Sequence, residues 1–429
     1  MIPLSRIRSE PEAVAQGARD KGEAAPVDMI LALDETARQA RTEVEQLRAE
    51  QNRISKGKVA DPEQIGKLRA MKATIQEKER ELNALEQQIE ELLLYVPNPA
   101  HPGVPVGADE TGNQVVRLEG EPRPFSFQPR THLELGETLG LFDFARAAKI
   151  SGSRFAILAG WGPRLQRALV SYMLDRAREN GYVELATPYL VRREAMTGTA
   201  NLPKFEDDAF RTDDDLFLIP TAEVPVTNYY REEILSEEQL PLAHVAHTPC
   251  FRKEAGAAGK DTRGFIRLHQ FDKVELVRFV HPDNSLDELE KLTSHAESVL
   301  SGLGLHYRVL LMCTGDMGFA QWKKYDLEAW APGMERFLEV SSCSVFGDFQ
   351  ARRAGIRFRP ASGKLQYVHT LNGSALAVPR TMVALLETWQ QEDSTVVVPE
   401  VLVPYLGVDH IGLDNVVVNS GIGDNQHPL

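Results

Sequence analysis

Apolar residues recur at every third or fourth position along two neighbouring stretches near the N-terminus, which is the spacing of one face of an α-helix. These positions are Ile30, Leu33, Ala37, Ala40, Val44, Leu47 and Ile54, followed by Ile65, Leu68, Met71, Ile75, Leu82, Leu85, Ile89 and Leu92. Gly57 and Pro62 separate the two stretches and would interrupt a single helix. Residues 28–94 are therefore predicted to form two antiparallel helices that pair as a coiled-coil hairpin. Helices of about 28 residues reach roughly 40 Å, so we expect the hairpin to project as an arm.

The pattern changes after a proline-rich linker between Tyr95 and Gly107. Runs of β-branched, aromatic and other apolar residues occupy 182–191, 215–221, 243–251, 265–280, 307–313, 336–346 and 367–378. Helical patterns occupy 164–180, 285–303 and 380–391. Several of the predicted strands follow one another with no helix between them. This order favours an α+β fold, with an antiparallel sheet flanked by helices, over a doubly wound parallel sheet.

The 429 residues are enough for two or three domains, and their hydrophobic and charged fractions, 42% and 26%, are ordinary for a globular protein. The formal net charge of −14 argues against non-specific binding of nucleic acid over the whole surface. No apolar run is long enough to span a membrane, and no secretory leader is apparent. The three cysteines are far apart and there is no CxxC or HExxH, so we expect no disulfide framework and no zinc site. A cytoplasmic location follows as the default.

Positive charge gathers at the predicted tip of the hairpin, although the whole chain is acidic. The basic residues there are Arg48, Arg53, Lys56, Lys58, Lys67, Arg69 and Lys72. Glu50, Asp61 and Glu63 lie among them. Two interpretations remain open from the pattern alone. The hairpin is either a spacer or dimerisation element with a solvated face, or an arm that grips a phosphate backbone.

Four groups of residues in the second half of the chain carry candidate chemistry. They are Thr221-Ala222-Glu223, the segment 250–275, Glu339-Val340-Ser341-Ser342, and Asn372-Gly373-Ser374 with Arg380 at a helix start. Each group alone also fits a structural role, such as a paired carboxylate or a core phenylalanine. Together they offer arginines for a polyphosphate, a carboxylate with a hydroxyl for Mg²⁺, an aromatic face for a base, and carboxylates for an ammonium group. Neither a GxGxxG nor a P-loop pattern occurs.

These residues resemble the class II aminoacyl-tRNA synthetases and, within them, the bacterial type of the seryl-tRNA synthetase family. Residues 181–191 resemble motif 1, whose final proline is Pro188. Residues 250–275 resemble motif 2, and 371–387 resemble motif 3, with Arg380 as its arginine. The N-terminal hairpin is similar to the tRNA-binding arm of that family, and the resemblance covers nearly the whole chain. Ala375 and Pro379 depart from the pattern, because the family often has glycine there.

The resemblance implies an N-terminal tRNA-binding domain in residues 1–108 and a catalytic domain with a six- or seven-stranded antiparallel sheet in 109–429. It implies that serine and ATP form seryl-adenylate and pyrophosphate, and that the seryl group then moves to the 3′ end of tRNA-Ser. It also implies a homodimer formed through motif 1, Mg²⁺ bound with ATP, no zinc, and tRNA-Sec as a further substrate where a cell makes it. No membrane association is expected.

The resemblance also assigns residues to these tasks. The ATP site would comprise Arg252, Lys253, Glu254, Arg267, Leu268, Phe271, Glu339, Val340, Ser341, Ser342 and Arg380. The serine site would comprise Thr221, Ala222, Glu223, Arg252, Glu275, Asn372 and Ser374. Arg252, Glu339 and Arg380 would be catalytic, and Glu339 and Ser342 would hold Mg²⁺. The seven basic residues at the hairpin tip would bind tRNA.

Two alternatives stay open at this point. One is a related ligase that loads an amino acid onto a carrier protein, but such relatives lack the long arm. The other is a non-catalytic RNA-binding paralogue, which would be expected to have lost Arg252, Glu339 or Arg380, and all three are present.

Overall fold

A computed structural model describes residues 1–56, 62–255 and 264–413 of the chain. The chain divides into two compact units. The first contains Met1–Ala100 and the short segment Gly318–Ala320, and the second contains His101–Met317 and the chain from Gln321 onward. None of the helices in the described ranges combines the length and apolar character that a membrane crossing requires.

The α-helices of the described ranges are α1 (Leu4–Ser9), α2 (Pro11–Asp20), α3 (Val27–Ser55), α4 (Pro62–Leu93), α5 (His132–Thr138), α6 (Phe144–Ser151), α7 (Gly162–Glu179), α8 (Arg193–Gly198), α9 (Glu223–Thr227), α10 (Ser285–Gly302), α11 (Phe349–Ala354), α12 (Val378–Trp389) and α13 (Val403–Leu406). The strands are β1 (Gln114–Glu119), β2 (Phe142–Asp143), β3 (Ile157–Leu158), β4 (Val183–Glu184), β5 (Leu190–Arg192), β6 (Leu216–Leu218), β7 (Ile234–Ser236), β8 (Leu242–Phe251), β9 (Gln270–Val280), β10 (Tyr307–Leu311), β11 (Lys323–Ala331), β12 (Arg336–Gly347), β13 (Arg357–Arg359), β14 (Gln366–Tyr367), β15 (His369–Ala377), β16 (Val396–Val397) and β17 (His410–Ile411).

The predicted coiled-coil hairpin is confirmed as the pair of long helices α3 and α4 in the first unit. Ile30, Ala37 and Val44 are buried at seven-residue intervals along α3. Ile75, Leu82 and Ile89 repeat the same interval along α4. A seven-residue repeat keeps one seam of each helix facing its partner, which is how a coiled coil forms.

Packing along the hairpin is uneven. Within the described residues, the buried positions of α3 end at Val44 and those of α4 begin at Ile75. Ile65, closer to the turn, is 41% exposed. The base of the hairpin is therefore held by a hydrophobic seam, whereas the tip has little apolar surface removed from water.

Eight strands of the described chain form one sheet in the second unit, in the order β1-β10-β11-β12-β15-β9-β8-β4. Every neighbouring pair is antiparallel except β4 with β8, which is parallel. The predicted antiparallel sheet is thus confirmed, but the expected six or seven strands are eight. Two strands of this sheet were not among the predicted ones: β1, which is exposed on all but one of its residues, and β11, in which four charged residues interrupt the apolar positions. Neither contains a long apolar run, so the pattern did not reveal them.

The predicted strand over 182–191 is two strands in different sheets. Its first part is β4, and its second part, β5, pairs with β6. Pro188 lies between them and cannot donate a hydrogen bond to a ladder.

Helices α7, α10 and α12 pack against the eight-stranded sheet through one hydrophobic cluster. Gly373 of β15 shows how close this contact is, since a Cβ there would lie 2.4 Å from Cδ2 of Leu292 on α10. Successive strand residues point to opposite faces, so Asn372 and Ser374 face away from α10. The helices therefore cover one face and leave polar side chains on the other.

Candidate active site

A cavity of about 190 Å³ lies over the central strands of the sheet and brings together residues that are far apart in sequence. Its lining includes every predicted ATP-site residue except Lys253, namely Arg252, Glu254, Arg267, Leu268, Phe271, Glu339, Val340, Ser341, Ser342 and Arg380. Ile266, Lys273, Ser374, Ala377 and Pro379 complete the wall. The Lys253 ammonium lies instead 5.9 Å from the ring of Phe210.

Strand register explains how these residues meet. Cys250 of β8 pairs with Phe271 of β9, which brings the two ends of the 250–275 segment together. Glu275 of β9 pairs with Ser374 of β15. Residues nearly a hundred positions apart are thereby held side by side, at the few ångströms of separation typical of adjacent strands.

The Arg252 side chain is held in place on both sides. Its Nε donates to the carbonyl of Pro220 at 3.2 Å, and its guanidinium carbon lies 5.2 Å from the centroid of the Phe271 ring. The backbone N–H of Arg252 donates to the carbonyl of His269 at 2.9 Å. A guanidinium fixed in this way can offer paired N–H groups to an anion in the cavity.

Glu254 adopts a left-handed backbone conformation, with φ of +53°. A non-glycine residue in such a conformation costs about 1–3 kcal/mol, which is commonly tolerated at functional sites. Its Oε2 accepts a hydrogen bond from Nε of Arg267 at 2.5 Å, and both residues line the cavity. Asp208, which the sequence did not single out, accepts from the backbone N–H groups of Lys253 and Ala255. Asp208 therefore fixes the chain on either side of the strained residue.

Arg380 and Glu339 form the opposite end of the cavity. Nη1 of Arg380 lies 3.3 Å from Oε2 of Glu339 and donates to the Glu339 carbonyl at 2.8 Å. Burial would raise the pKa of Glu339, but the charges of Arg380, Lys324 and Arg252 outweigh it and hold the pKa below its usual value. Despite this partial burial, 46% of the Glu339 side-chain surface is exposed, so the carboxylate is accessible.

Pro379 is the second residue of α12, where its missing N–H and fixed φ are tolerated. Arg380 follows at once, and its Nε donates to the carbonyl of Ile266 at 3.2 Å.

Oxygen ligands for a divalent cation are present beside this ion pair. Glu339 and Ser342 both line the cavity from β12, and Ser342 pairs across the strands with Asp326 of β11. Asp326 is buried; Oδ2 lies 3.0 Å from Nζ of Lys324, whereas Oδ1 has no hydrogen-bond partner among the described residues. Hard oxygen donors of this kind suit Mg²⁺. Across the described chain there is no cluster of three or more His, Cys, Asp or Glu residues that could hold a metal ion by itself.

A second cavity, of about 360 Å³, shares Arg252, Glu254 and Arg267 with the first. Thr221 and Glu223, two of the predicted serine-site residues, also line it. Ala222 lies between them and is fully buried. The two cavities thus meet at Arg252.

Glu275 is buried and already has two partners. Its Oε2 lies 2.5 Å from Nζ of Lys273 and accepts a hydrogen bond from the Ser374 hydroxyl at 3.3 Å. Asn372, another predicted serine-site residue, is 9% exposed on the same strand as Ser374. Lys273 was not predicted, although a buried carboxylate in a strand was a signal that a cation should be near.

Glu223 is the first residue of α9, and its Oε1 accepts a hydrogen bond from Nε2 of Gln350 at 2.6 Å. Burial raises the pKa of Glu223 to about 7, and the nearby charge of Glu275 adds to this rise. The Gln350 amide acts in the opposite direction by donating to the carboxylate. Gln350 lies outside every motif that the sequence singled out, so sequence reasoning missed it.

The predicted tRNA-binding residues lie on the hairpin. Their sequence positions come well before those of the residues that line the two cavities. Arg48, Arg53 and Lys67 pair with Glu79, Glu50 and Glu63 at 2.6, 2.7 and 3.5 Å. These three side chains are 61–78% exposed, and exposed pairs of this kind contribute only about 0.2–1 kcal/mol each. Lys56, Arg69 and Lys72 are also exposed. Lys58 lies outside the described residues, as do residues 256–263 of the motif 2 segment.

The amino-acid sequence and the fold are similar to the same family of known proteins. Residues 1–100 match the seryl-tRNA synthetase N-terminal domain family, and residues 204–389 match the class II tRNA synthetase core domain family (G, H, P, S and T). The chain is 54% identical over 417 residues to a serine–tRNA ligase of Caldicellulosiruptor saccharolyticus, covering 94% of this chain and 98% of that protein. It is 55% identical over 411 residues to a serine–tRNA ligase of Thermomicrobium roseum, covering 94% and 92%.

A solved structure resembles the whole fold. The crystal structure of seryl-tRNA synthetase from Pyrococcus horikoshii complexed with ATP superposes with a TM-score of 0.91 and 41% sequence identity. The match covers 96% of this chain and 99% of that one.

Proposed function

The chain belongs to the seryl-tRNA synthetase family, and from that premise we propose which of its residues carry out each step. It is an ATP-dependent serine–tRNA ligase: it joins serine to tRNA through seryl-adenylate. Neither a carrier-protein ligase nor a non-catalytic paralogue is favoured, because curated serine–tRNA ligases match over 94% of the chain. The assignment of residues depends mainly on one observation. A single cavity is lined by Arg252 and Arg380, by the oxygen ligands Glu339 and Ser342, and by the aromatic ring of Phe271.

We propose that Arg252 binds the α-phosphate of ATP. Negative charge builds on that phosphate as the serine carboxylate attacks it, and a fixed guanidinium stabilises the charge without further reorganisation. Adenine would stack between Phe271 and Arg380, while Glu254 accepts a hydrogen bond from its amino group. The Arg267 contact at 2.5 Å supports this role for Glu254, because it fixes the direction of the carboxylate.

Mg²⁺ would bind to Glu339 and Ser342. An ion held there would supply positive charge against the polyphosphate of ATP and its leaving group. Asp326 supports the assignment because it pairs with Ser342 across the strands and its buried Oδ1 lacks a hydrogen-bond partner among the described residues. Arg380 pairs with the Glu339 carboxylate, so its guanidinium would lie beside both the ion and the nucleotide.

Serine would occupy the second cavity, beside Arg252. Glu223 faces that cavity and supplies a negative charge for the α-ammonium group of serine. Glu275 would accept the hydrogen bond of the serine hydroxyl, with Thr221, Ala222, Asn372 and Ser374 completing the pocket. No protein nucleophile is needed, since the carboxylate of serine itself attacks ATP; the residues act by position and charge.

The remaining proposals concern partners. The domain of residues 1–108 would hold tRNA-Ser through the hairpin 28–94, with 109–429 as the catalytic domain. The exposed basic residues of the tip support this, since they can exchange weak carboxylate partners for phosphates. A homodimer through residues 181–191, use of tRNA-Sec where it exists, and a cytoplasmic location belong to the same proposal.

The proposed site is tested by measuring exchange of pyrophosphate into ATP with each amino acid in turn. We expect exchange with serine to exceed exchange with alanine by about 10⁴-fold, because alanine leaves a buried acceptor unpaired. Threonine should be rejected by the walls of the pocket. Faster exchange with any other amino acid would overturn the assignment of the serine pocket.

Replacing Glu275 by glutamine should weaken the use of serine by about 10–100-fold in kcat/KM, because the charged acceptor and its bond to Lys273 are both lost. The KM for ATP should stay within about twofold of wild type, since Arg252 and Phe271 are unchanged. The matched control is Glu119→Gln, which alters an exposed strand carboxylate. A defect of Glu275→Gln confined to ATP would contradict the role given to Glu275.

A further inference from the structure

Gln350 has a buried side chain in which both the amide nitrogen and the amide oxygen have hydrogen-bond partners. It lies on α11 and is 1% exposed. Its Nε2 donates to Oε1 of Glu223 at 2.6 Å and to the carbonyl of Thr199 at 3.4 Å. Its Oε1 accepts from the hydroxyl of Thr370, a fully buried residue of β15, at 2.7 Å.

These contacts permit one orientation of the amide. A carboxylate and a backbone carbonyl can only accept, so both must face the nitrogen of Gln350. The Thr370 hydroxyl can donate, and it does so to the oxygen. Turning the amide over would place its oxygen against Glu223 and the Thr199 carbonyl, leaving three buried acceptors facing each other. The amide is therefore locked with its donors toward Glu223.

The surroundings of Glu223 make this donor important. Glu275 on β9 repels its charge, while Lys273 on β9, Asn372 on β15 and Gln350 on α11 favour it. Arg252 lines the same cavity from the end of β8. Burial disfavours the charged form, and the neutral donors on α11 and β15 oppose that effect by lowering the pKa of Glu223 while they direct its carboxylate.

We propose that Gln350, itself oriented by Thr370, is a positioning residue that holds the Glu223 carboxylate toward the α-ammonium group of serine. The inference rests on the proposed serine pocket and deepens it. It predicts that Gln350 governs the binding of serine and has little influence on the handling of ATP.

Replacing Gln350 by methionine keeps the length of the side chain and removes both donors. We expect the KM for serine in pyrophosphate exchange to rise about 10–100-fold, the loss of a hydrogen bond to a charged group. The KM for ATP and kcat at saturating serine should stay within about twofold. The acid limb of kcat/KM for serine should move to higher pH: without its donor, Glu223 takes up a proton at higher pH, and activity is lost as pH falls through that value.

Two further comparisons separate positioning from general damage. Gln390→Met removes another buried glutamine, which bonds backbone groups of Arg130, and should change stability without changing the KM for serine. Thr370→Val should raise the KM for serine about 3–10-fold, whereas Thr370→Ser keeps the hydroxyl and should behave as wild type. The threonine pair remains informative if Gln350→Met fails to fold.

The outcomes distinguish a failure of the proposed function from a failure of the role given to Gln350. If wild-type exchange does not depend on serine, the proposed function itself fails. If wild type depends on serine but Gln350→Met and Thr370→Val leave its KM and pH profile unchanged, only the role of Gln350 is overturned. An equal rise in KM for serine and ATP would likewise reject a role specific to Glu223.

Discussion

Replacing Arg252 by alanine is expected to reduce serine-dependent exchange of pyrophosphate into ATP by about 10³-fold or more. The guanidinium is positioned by the Pro220 carbonyl and the Phe271 ring before any ligand binds. Alanine would remove the charge, and Arg267, the other cation that lines both cavities, is already paired with Glu254. The defect should therefore fall mainly on kcat, because the charge of the α-phosphate grows in the transition state.

Two controls sharpen this result. Arg252→Lys keeps a positive charge but loses the paired N–H groups and the Nε bond, so an intermediate loss of about 10²-fold is expected. Arg211→Ala removes an arginine that contacts Glu206 and Asp215 outside the cavity, and should leave exchange within about twofold. Retention of more than a tenth of wild-type kcat by Arg252→Ala would show that the α-phosphate is stabilised elsewhere.

Replacing residues 28–94 by a short glycine-serine linker is expected to leave serine activation within about threefold while reducing charging of tRNA-Ser by about 10³-fold or more. Several phosphate contacts would be lost together, and each basic contact contributes to a binding constant that depends steeply on salt. The measurement is aminoacylation beside pyrophosphate exchange on the same preparation. Both long helices are removed together, so neither is left without its partner, although α1 and α2 lose their packing against α3.

A charge-neutralised arm provides the matched control for the deletion. Substituting Arg48, Arg53, Lys67, Arg69 and Lys72 by glutamine keeps both helices and should give most of the same loss, together with a weaker dependence on salt. Equal charging by the truncated and intact proteins would exclude the hairpin as a tRNA-binding element. Full loss on deletion but none on neutralisation would mean that shape and not charge is recognised.

Residue pattern predicted those parts of the fold that depend on local repetition. The seven-residue spacing of α3 and α4 is visible in the chain because each buried position follows the last at a fixed interval. Strands β1 and β11 were missed for the opposite reason. β1 is exposed on all but one of its residues, and charged residues interrupt the apolar positions of β11, so neither shows a regular pattern.

The candidate site shows a similar division. Arg252, Phe271 and Arg380 were predicted because they belong to recognisable motifs, and the structure brings them to one cavity. Lys273, Asp208 and Gln350 were not predicted, since each acts by holding a motif residue across strands or helices. Gln350 is 127 positions from Glu223, and only the packing of α11 brings them together. Contacts of this kind depend on the tertiary fold and leave no local pattern.

The uneven packing of the hairpin has a consequence for how this chain can evolve. Substitutions at the base, between Ile30 and Val44 or between Ile75 and Ile89, would disturb a buried seam, and selection for folding constrains them. Substitutions nearer the turn would cost little folding free energy, because few side chains there are removed from water. The tip is therefore free to accumulate substitutions, while the base preserves the helices that carry it.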